Sequence, residues 1–549
     1  MCGIVGFISP QGFNEEEAGE IVCRMRDRLI HRGPDEAGSW LDAKASIALA
    51  HRRLSILDLT AAGSQPMVSA GGRYVIAFNG EINHLDIRRE VEKNGFREWR
   101  GHSDTEILLA AIEIWGVEKA LQKSVGMFAL ALWDRHEQTL TLARDRMGEK
   151  PLYYGWQGNT FLFGSELKAL QAHPEFSSEI DRQVVPIYLR HGYIPAPWSI
   201  WKDIFKLKPG CMVQMDAQQM HRPQKIKPYW SLGEIIEAGD ANSFSGTDTE
   251  AIDALESQLR LAVAGQMEAD VPLGAFLSGG IDSSTVVALM QSLSLRPVKT
   301  FSIGFDEAGY NEAQHAKAVA KHLCTDHTEL YVTSDQARNV IPDLATIYDE
   351  PFGDSSAIPT HLVSRLAKKH VTVSLSGDGG DELFGGYGRY FNHKAMRIWQ
   401  NLCLLPAPIR HQVGALVQSS LVSFADEMLH GTASLLSRPL NKSLKLRAGL
   451  IAGLTACHNM QDFYRVMTSQ WNWPPVAYET TMLNYGIDSS LLQKISEPVQ
   501  QMMATDSLSY LPDDILVKVD RAAMAVSLET RVPLLDHRVV ALAWQMPYK

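Results

Sequence analysis

Cysteine is scarce and scattered: Cys2, Cys23, Cys211, Cys324, Cys403 and Cys457 are the only six in 549 residues, and no two form a C-x-x-C pair. This spacing excludes a disulfide framework and a zinc knuckle, and it fits a reducing compartment. Positive charge is in deficit, with 52 Lys and Arg against 63 Asp and Glu, and no long basic block offsets it. A net charge of -11 leaves no electrostatic footprint for DNA, RNA or an anionic membrane surface, although a local basic cleft for a small anion is compatible with it. Long apolar runs are missing as well. The stretch 125–133 is too short for a bilayer, and the N-terminus has neither a basic n-region nor a long apolar h-region. The expectation is no secretion, no membrane span and work in the cytosol. No internal repeat is found.

What is present is the balance of a globular protein, 45% hydrophobic and 21% charged. The length implies roughly two to four domains of about 150 residues each. Over residues 2–215, β-rich runs (3–8, 47–50, 74–78, 127–133, 139–143, 160–163) alternate with amphipathic helical stretches such as 104–115. This half reads as sheet-dominated α+β. Residues 216–249 carry Pro223, Pro228 and a Gly/Ala/Asn/Ser/Thr-rich end, with no period able to bury a face, and read as a linker. Over 250–549 a helix (252–266) and apolar strands (271–277, 298–304, 371–375) alternate with helical stretches, which predicts a parallel sheet with ligands at the strand C-termini. Beyond Tyr390 the chain looks mostly helical.

Cys2 stands where removal of Met1 would give it a free α-amine, so nucleophile and base share one residue; its plain alternative is a small inert core residue. Asn79-Gly80-Glu81 follows the run ending at Phe78, and its side-chain amide and Gly80 N–H suit an oxyanion, although Asn-Gly alone also fits a type I′ hairpin turn. Arg53 and Asp104 could clamp a zwitterion; alone they also fit a surface cation and a helix N-cap.

In the second half, Ser278-Gly279-Gly280-Ile281-Asp282-Ser283-Ser284 lies between an apolar strand and a helix, where glycines, hydroxyls and a helix N-terminus favour phosphate. It is not a Walker A loop, and Asp282 would repel phosphate unless magnesium lay between them. Ser376-Gly377-Asp378-Gly379-Gly380-Asp381-Glu382 sets three carboxylates in five residues after another strand, a charge concentration that a metal or proton must relieve. The spacing fails the calcium-loop pattern.

These segments, together with His31-Arg32-Gly33-Pro34-Asp35, Arg53-Leu54-Ser55-Ile56, Ser103-Asp104-Thr105-Glu106 and the stretches 513–521 and 529–536, resemble the glutamine-hydrolysing asparagine synthetases. That family joins a class II N-terminal-nucleophile amidotransferase to an ATP-pyrophosphatase domain. The resemblance implies an α+β glutaminase of layered antiparallel sheets, then an α/β doubly wound parallel-sheet domain with a helical C-terminal part. It implies Cys2 as nucleophile, Asn79 and Gly80 as oxyanion hole, and Arg53, Asn79, Gly80, Glu81 and Asp104 around glutamine. It also implies ATP on Ser278, Gly279, Gly280, Asp282, Ser283, Ser284 and Ser376, adenine against backbone near Phe276, Ile303 and Gly377, and Mg2+ on Asp282 and Asp381. Asp378 takes the place of an acidic general base that is more often Glu.

Ammonia would cross the domain interface to a carboxylate activated as an acyl-adenylate, aspartate being the leading acceptor. The rivals are another carboxylate such as a sugar uronic acid, β-lactam closure, and a non-catalytic homologue. The expected partners are small-molecule substrates, with a homodimer as the candidate assembly.

The sequence departs from the family in two places. Ile82 is followed by Asn83-His84 without the usual Tyr, and the chain stops at Lys549 before the Gly-Lys motif that ends the family's synthetase domain. The expectation is a truncated synthetase, weakened unless Lys518 or Arg521 points into the cleft.

Overall fold

The computed structural model describes residues 2–216, 225–305, 312–417, 444–471 and 489–548. The first half contains β1 (Gly3–Ile8), β2 (Glu36–Asp42), β3 (Ile47–Arg53), β4 (Met67–Val68), β5 (Tyr74–Ile82), β6 (Gly126–Asp134), β7 (Thr139–Arg144), β8 (Tyr153–Gln157), β9 (Thr160–Gly164), β10 (Ile204–Lys206), β11 (Cys211–Asp216) and β12 (Ile226–Pro228). They form two antiparallel six-stranded sheets, ordered β10-β8-β9-β1-β3-β2 and β12-β11-β7-β6-β5-β4. Strand alternation builds the layers. Ile4 and Ile8 of β1 meet Val75 and Ala77 of β5 between the sheets. Val5 and Phe7 face outward onto Val22 and Met25 of the helix Glu15–Asp27. On the other side, Ile76 and Phe78 pack on Ile107 and Leu108 of the helix Asp104–Trp115.

The second half holds one sheet of β13 (Leu273–Phe276), β14 (Lys299–Phe305), β15 (Asp326–Val332), β16 (Val373–Leu375) and β17 (Glu529–Arg531), in the order β15-β14-β13-β16-β17. Every neighbouring pair is parallel. The three expected strands lie at its centre; β15 and β17 join as edges. The β15 sequence, DHTELYV, is only half-buried and too polar to read as a core strand.

Two expectations need correction. Residues 216–249 are not a bare linker: β12 extends the second sheet, and the helix Leu232–Ala241 is capped by Ser231 and buries Leu232 and Ile236 beside Trp544. Gly239 permits that contact, since a Cβ there would lie 2.5 Å from the Trp544 carbonyl oxygen. Nor does the strand end at Phe78. It runs through Asn79-Gly80-Glu81 to Ile82 in register with β6, which excludes the hairpin turn.

Candidate active sites

Cys2 immediately precedes β1, the strand held between β3 and β9, so its main chain is fixed by a sheet on its C-terminal side. Its nitrogen donates to Asn79 Oδ1 at 2.9 Å, and Sγ lies 3.9 Å from the Leu54 carbonyl oxygen. Burial pushes the thiol up, against the opposing pull of the amino terminus and the Leu54 hydrogen bond. A thiol held protonated needs a base. The buried His51 imidazole sits on the Phe78 carbonyl at 2.9 Å, and burial drives it down to about 3, so it is neutral and already engaged.

Asn79 Nδ2 is buried with no hydrogen-bond partner among the described residues, an unused donor on the side chain whose Oδ1 holds the Cys2 nitrogen. Asp104 is the first residue of its helix; Ser103 is the cap, and Asp104 Oδ2 accepts the Ile82 N–H at 3.0 Å. Burial raises Asp104 to about 6, and burial with the nearby Asp104 charge raises Glu81 well above the usual carboxylate range. Arg53 is buried as well, but its guanidinium reaches Glu36 Oε2 at 3.1 Å and the Thr60 carbonyl at 3.0 Å, so it braces the loop after β3.

The second site lies at the C-terminal ends of β13 and β16, in a cleft of about 460 Å³. After β13 the chain turns through Gly279, whose φ of +82° and a Cβ position 2.6 Å from Ala316 N leave room for glycine only. The helix Ile281–Leu293 then starts at Gly280 with no side-chain cap, so its first N–H groups face the cleft. Ser283 Oγ ties the loop together, accepting from Ser278 N at 3.2 Å. The loop after β16 packs directly on this one. A Cβ on Gly377 would sit 2.6 Å from Ser283 N, and one on Gly380 would sit 2.4 Å from Asp282 Cγ.

Asp282 is lifted to about 6 by burial and by the Asp381 and Asp378 charges; burial also raises Asp381, with Asp378 adding to it and Arg389 opposing. Phe276, Ser278, Gly280, Asp282, Ser283, Ser376, Gly377, Asp378 and Asp381 all line the cleft. Ile303 is not among the cleft-lining residues; its side chain packs toward Val332 and Leu362, which bears on the side chain and not on the backbone expected near adenine.

Lys518, on the helix Leu516–Met524, also lines the cleft, with Nζ 3.3 Å from Asp354 Oδ2. Arg521 turns the other way, to Glu166 Oε1 at 2.7 Å. Of the two cations considered from the sequence, Lys518 is the one in place. The segment 350–360, from which Asp354, Ser356 and Thr360 line the cleft, is clamped by the first domain: Glu350 pairs with Lys206, and Gly353 N donates to Gly192 O at 2.7 Å. Asp354 and Tyr510 also line a neighbouring chamber of about 890 Å³ that includes Arg190, Arg465 and Gln470.

Arg32, Asp520, Glu529 and Arg531 stand inside the motifs that carry the family resemblance, yet the sequence alone assigns them no role. In the structure they cross the domain boundary. Arg531 Nη2 reaches Glu81 Oε2 at 3.3 Å, and Arg32 bridges Asp520 and the Cys2 carbonyl. The available signal was a set of charged residues inside three motifs from opposite halves; Arg531 and Glu529 pair locally at 2.7 Å, whereas Arg32 and Asp520 find each other only across the domain boundary.

Comparison with known proteins finds two family models in succession along the chain. Residues 1–230 match the family model described as "Glutamine amidotransferase domain", and residues 254–549 match "Asparagine synthase". Glutamine-hydrolyzing asparagine synthetase 1 of Bacillus subtilis is 32% identical over 568 residues, covering 100% of this chain and 81% of the relative. A protein of Methanocaldococcus jannaschii, named "putative" glutamine-hydrolyzing asparagine synthetase 2, is 35% identical and covers 95% of this chain and 98% of its own length. Among solved structures, glutamine phosphoribosylpyrophosphate amidotransferase from B. subtilis covers 60% of this chain and 65% of its own, at 15% identity and a TM-score of 0.31 that bears no weight. Similarity over the full chain and two family models in sequence lead to one statement: this chain belongs to the glutamine-hydrolysing asparagine synthetase family, an amidotransferase domain joined to an asparagine synthase domain.

Proposed function

We propose that the chain makes asparagine from aspartate, taking nitrogen from glutamine at Cys2 and activating the carboxylate with ATP at the cleft after β13 and β16. The observation that carries this reading is the packing between the two sites. Leu54, whose carbonyl faces the Cys2 thiol, joins an apolar cluster with Leu277 and Leu375, the residues immediately before Ser278 and Ser376. Passage of ammonia along this apolar packing, from nucleophile to phosphate loop, would keep it out of water and unprotonated.

In this reading the Cys2 thiol, giving its proton to its own α-amine once Met1 is removed, attacks the glutamine side-chain carbonyl. The oxyanion takes hydrogen bonds from Asn79 Nδ2 and Gly80 N–H. Collapse expels NH3, and water then releases glutamate. Asp104 and Glu81 receive the glutamine ammonium, and Arg53 its carboxylate once it lets go of the Thr60 carbonyl. At the second site the acceptor carboxylate attacks the α-phosphorus of ATP, pyrophosphate leaves, and ammonia displaces AMP from the acyl-adenylate to give the amide. Ser278, Gly279, Gly280, Ser283, Ser284 and Ser376 hold the phosphates, and Lys518 offsets their charge. Asp378, carried on the same glycine-rich loop, accepts the proton that ammonia loses.

Magnesium fits Asp282 and Asp381, two carboxylates held above their usual range by burial and by neighbouring negative charge, Asp381 and Asp378 acting on Asp282 and Asp378 on Asp381. Among the described residues no group of three His, Cys, Asp or Glu side chains is set to hold a metal. Two carboxylates completed by phosphate oxygens and water is the set that magnesium takes, and the bound ion would shield charge on the leaving pyrophosphate. Among the described residues no helix is long and apolar enough to cross a membrane.

A second reading has its own observation: the chamber of about 890 Å³ beside the cleft has room for a carboxylate larger than aspartate. Formation of AMP and pyrophosphate with a panel of carboxylates decides between them. Aspartate as the best acceptor supports the first reading, and turnover only with larger acids supports the second.

A further inference from the structure

We propose that Asp520, a residue of the synthetase domain, positions the glutaminase nucleophile by holding Arg32, which in turn holds the Cys2 main chain. The inference rests on the reading of Cys2 given above and adds a residue of the other domain to its machinery.

Arg32 is completely buried, and four hydrogen bonds fix its guanidinium in one geometry. Nε donates to the Cys2 carbonyl oxygen at 2.9 Å. Nη1 and Nη2 form a fork on Asp520, at 2.8 and 3.0 Å, and Nη1 also donates to Glu166 Oε1 at 2.8 Å. The planar fork matches a carboxylate on two donors at once, so the side chain has no second orientation that keeps these bonds. Cys2 therefore has its nitrogen on Asn79, its carbonyl on Arg32, and its next residue, Gly3, in the ladder opposite Arg52. Without Asp520, Arg32 would be a buried cation short of its main counter-charge and free to leave the carbonyl.

The placement of Asp520 separates this role from simple domain adhesion. Lys518 and Asp520 are two residues apart on the helix Leu516–Met524, about 200° around its axis, and so on opposite faces. Lys518 looks into the ATP cleft toward Asp354, and Asp520 looks at Arg32. One helix lies between the cleft and Arg32, and Arg32 in turn touches the nucleophile's own carbonyl. Arg521, the next residue, holds Glu166, the third partner of Arg32. An adhesive ion pair would need no such contact with the reacting residue.

The test uses the full chain in two variants, Asp520→Asn and the double variant Arg32→Met with Asp520→Leu, which removes both charges and keeps the volume. For each, glutamine hydrolysis, ammonia-dependent AMP formation, thermal unfolding and the pH profile of Cys2 alkylation by iodoacetamide are measured. In Asp520→Asn, kcat for glutamine hydrolysis is expected to fall tenfold or more with KM for glutamine within twofold, because Arg53, Glu81 and Asp104 are untouched. Ammonia-dependent AMP formation stays within twofold, and alkylation moves to higher pH as the thiol loses its alignment with the α-amine. The double variant shows the same loss of hydrolysis while unfolding cooperatively, and it decides the matter if the single variant does not fold.

Hydrolysis within twofold of wild type in a folded variant overturns the proposal, as does a proportional loss of both activities. Cys2→Ala is run alongside. If it still hydrolyses glutamine, the proposed function fails; if it does not, while both Asp520 variants remain fully active, only this inference fails.

Discussion

The Leu54 carbonyl lies 3.9 Å from the Cys2 thiol, while the Leu54 side chain packs into the core of the other domain with Leu277, Leu375 and Met524. One residue thus touches the nucleophile and the scaffold of the phosphate loops. The two sites are neighbours through packing, and each has its own separable chemistry.

Cys2→Ala is expected to abolish glutamine-dependent amidation and leave ammonia-dependent amidation within about twofold, because the synthetase cleft needs only NH3. Parallel assays with glutamine and with ammonium salt check this. Equal loss of both would make Cys2 structural.

Asp282→Asn and Asp381→Asn are each expected to remove AMP formation by a hundredfold or more, on the order of 3 kcal/mol in the transition state. Glutamine hydrolysis should survive. The check is pyrophosphate release as a function of magnesium concentration, and normal turnover at normal magnesium dependence in either variant would refute that ligand.

Lys518→Met should slow pyrophosphate release roughly a hundred- to a thousandfold, the usual effect of removing a preorganised charge partner from such a site. Burial works against the Lys518 charge, but Asp378 and Asp354 raise it by more, so the amine stays protonated through neutral pH. Unchanged single-turnover adenylation would remove Lys518 from the phosphate site.

Asp104 titrates at about 6 because burial disfavours its charge, and an ammonium ligand requires the charged form. The kcat/KM for glutamine is therefore expected to fall as pH drops through about 6, by up to about tenfold per unit. The sign for stability is opposite. A folded value above the ordinary 3.8 means this carboxyl favours the folded state at low pH and loses that contribution as pH rises from about 4 to about 6. Asp104→Asn keeps an acceptor for the Ile82 N–H, so its melting temperature at pH 7 should be no lower than wild type, which scanning calorimetry measures.

Gly239→Ala should cost about 1–3 kcal/mol, because the added methyl meets the Trp544 carbonyl at 2.5 Å and must push the helix Leu232–Ala241 off its seat. Chemical denaturation would show it. An unchanged midpoint would mean that this helix is not docked as described.

The phosphate loop was readable because it is local: strand, glycines, hydroxyls and helix follow one another within about a dozen residues, and their geometry is dictated by that order. The helix Leu232–Ala241 was not, because Ala238-Gly239-Asp240-Ala241 looks like a linker until Trp544 gives its small face something to lie against. Asn79-Gly80 resembled a turn for a similar reason; only pairing with Ala129 and Phe128 makes it strand. The Arg32–Asp520 fork joins positions 488 residues apart, and no periodicity or spacing can pair two charges at that separation. Local motifs announce the chemistry, and tertiary contacts bring the two candidate sites together.

The most direct test of the central claim is a nitrogen-transfer experiment with the full chain, ATP, magnesium, aspartate and glutamine labelled with 15N in its amide, in the presence of excess unlabelled ammonium. Direct delivery between the sites predicts 15N in the amide product well above the isotopic mixture in solution, with AMP and pyrophosphate formed one for one with that amide. Product nitrogen that simply mirrors the bulk ammonium, or glutamine hydrolysis with no AMP formed from any carboxylate, would contradict it.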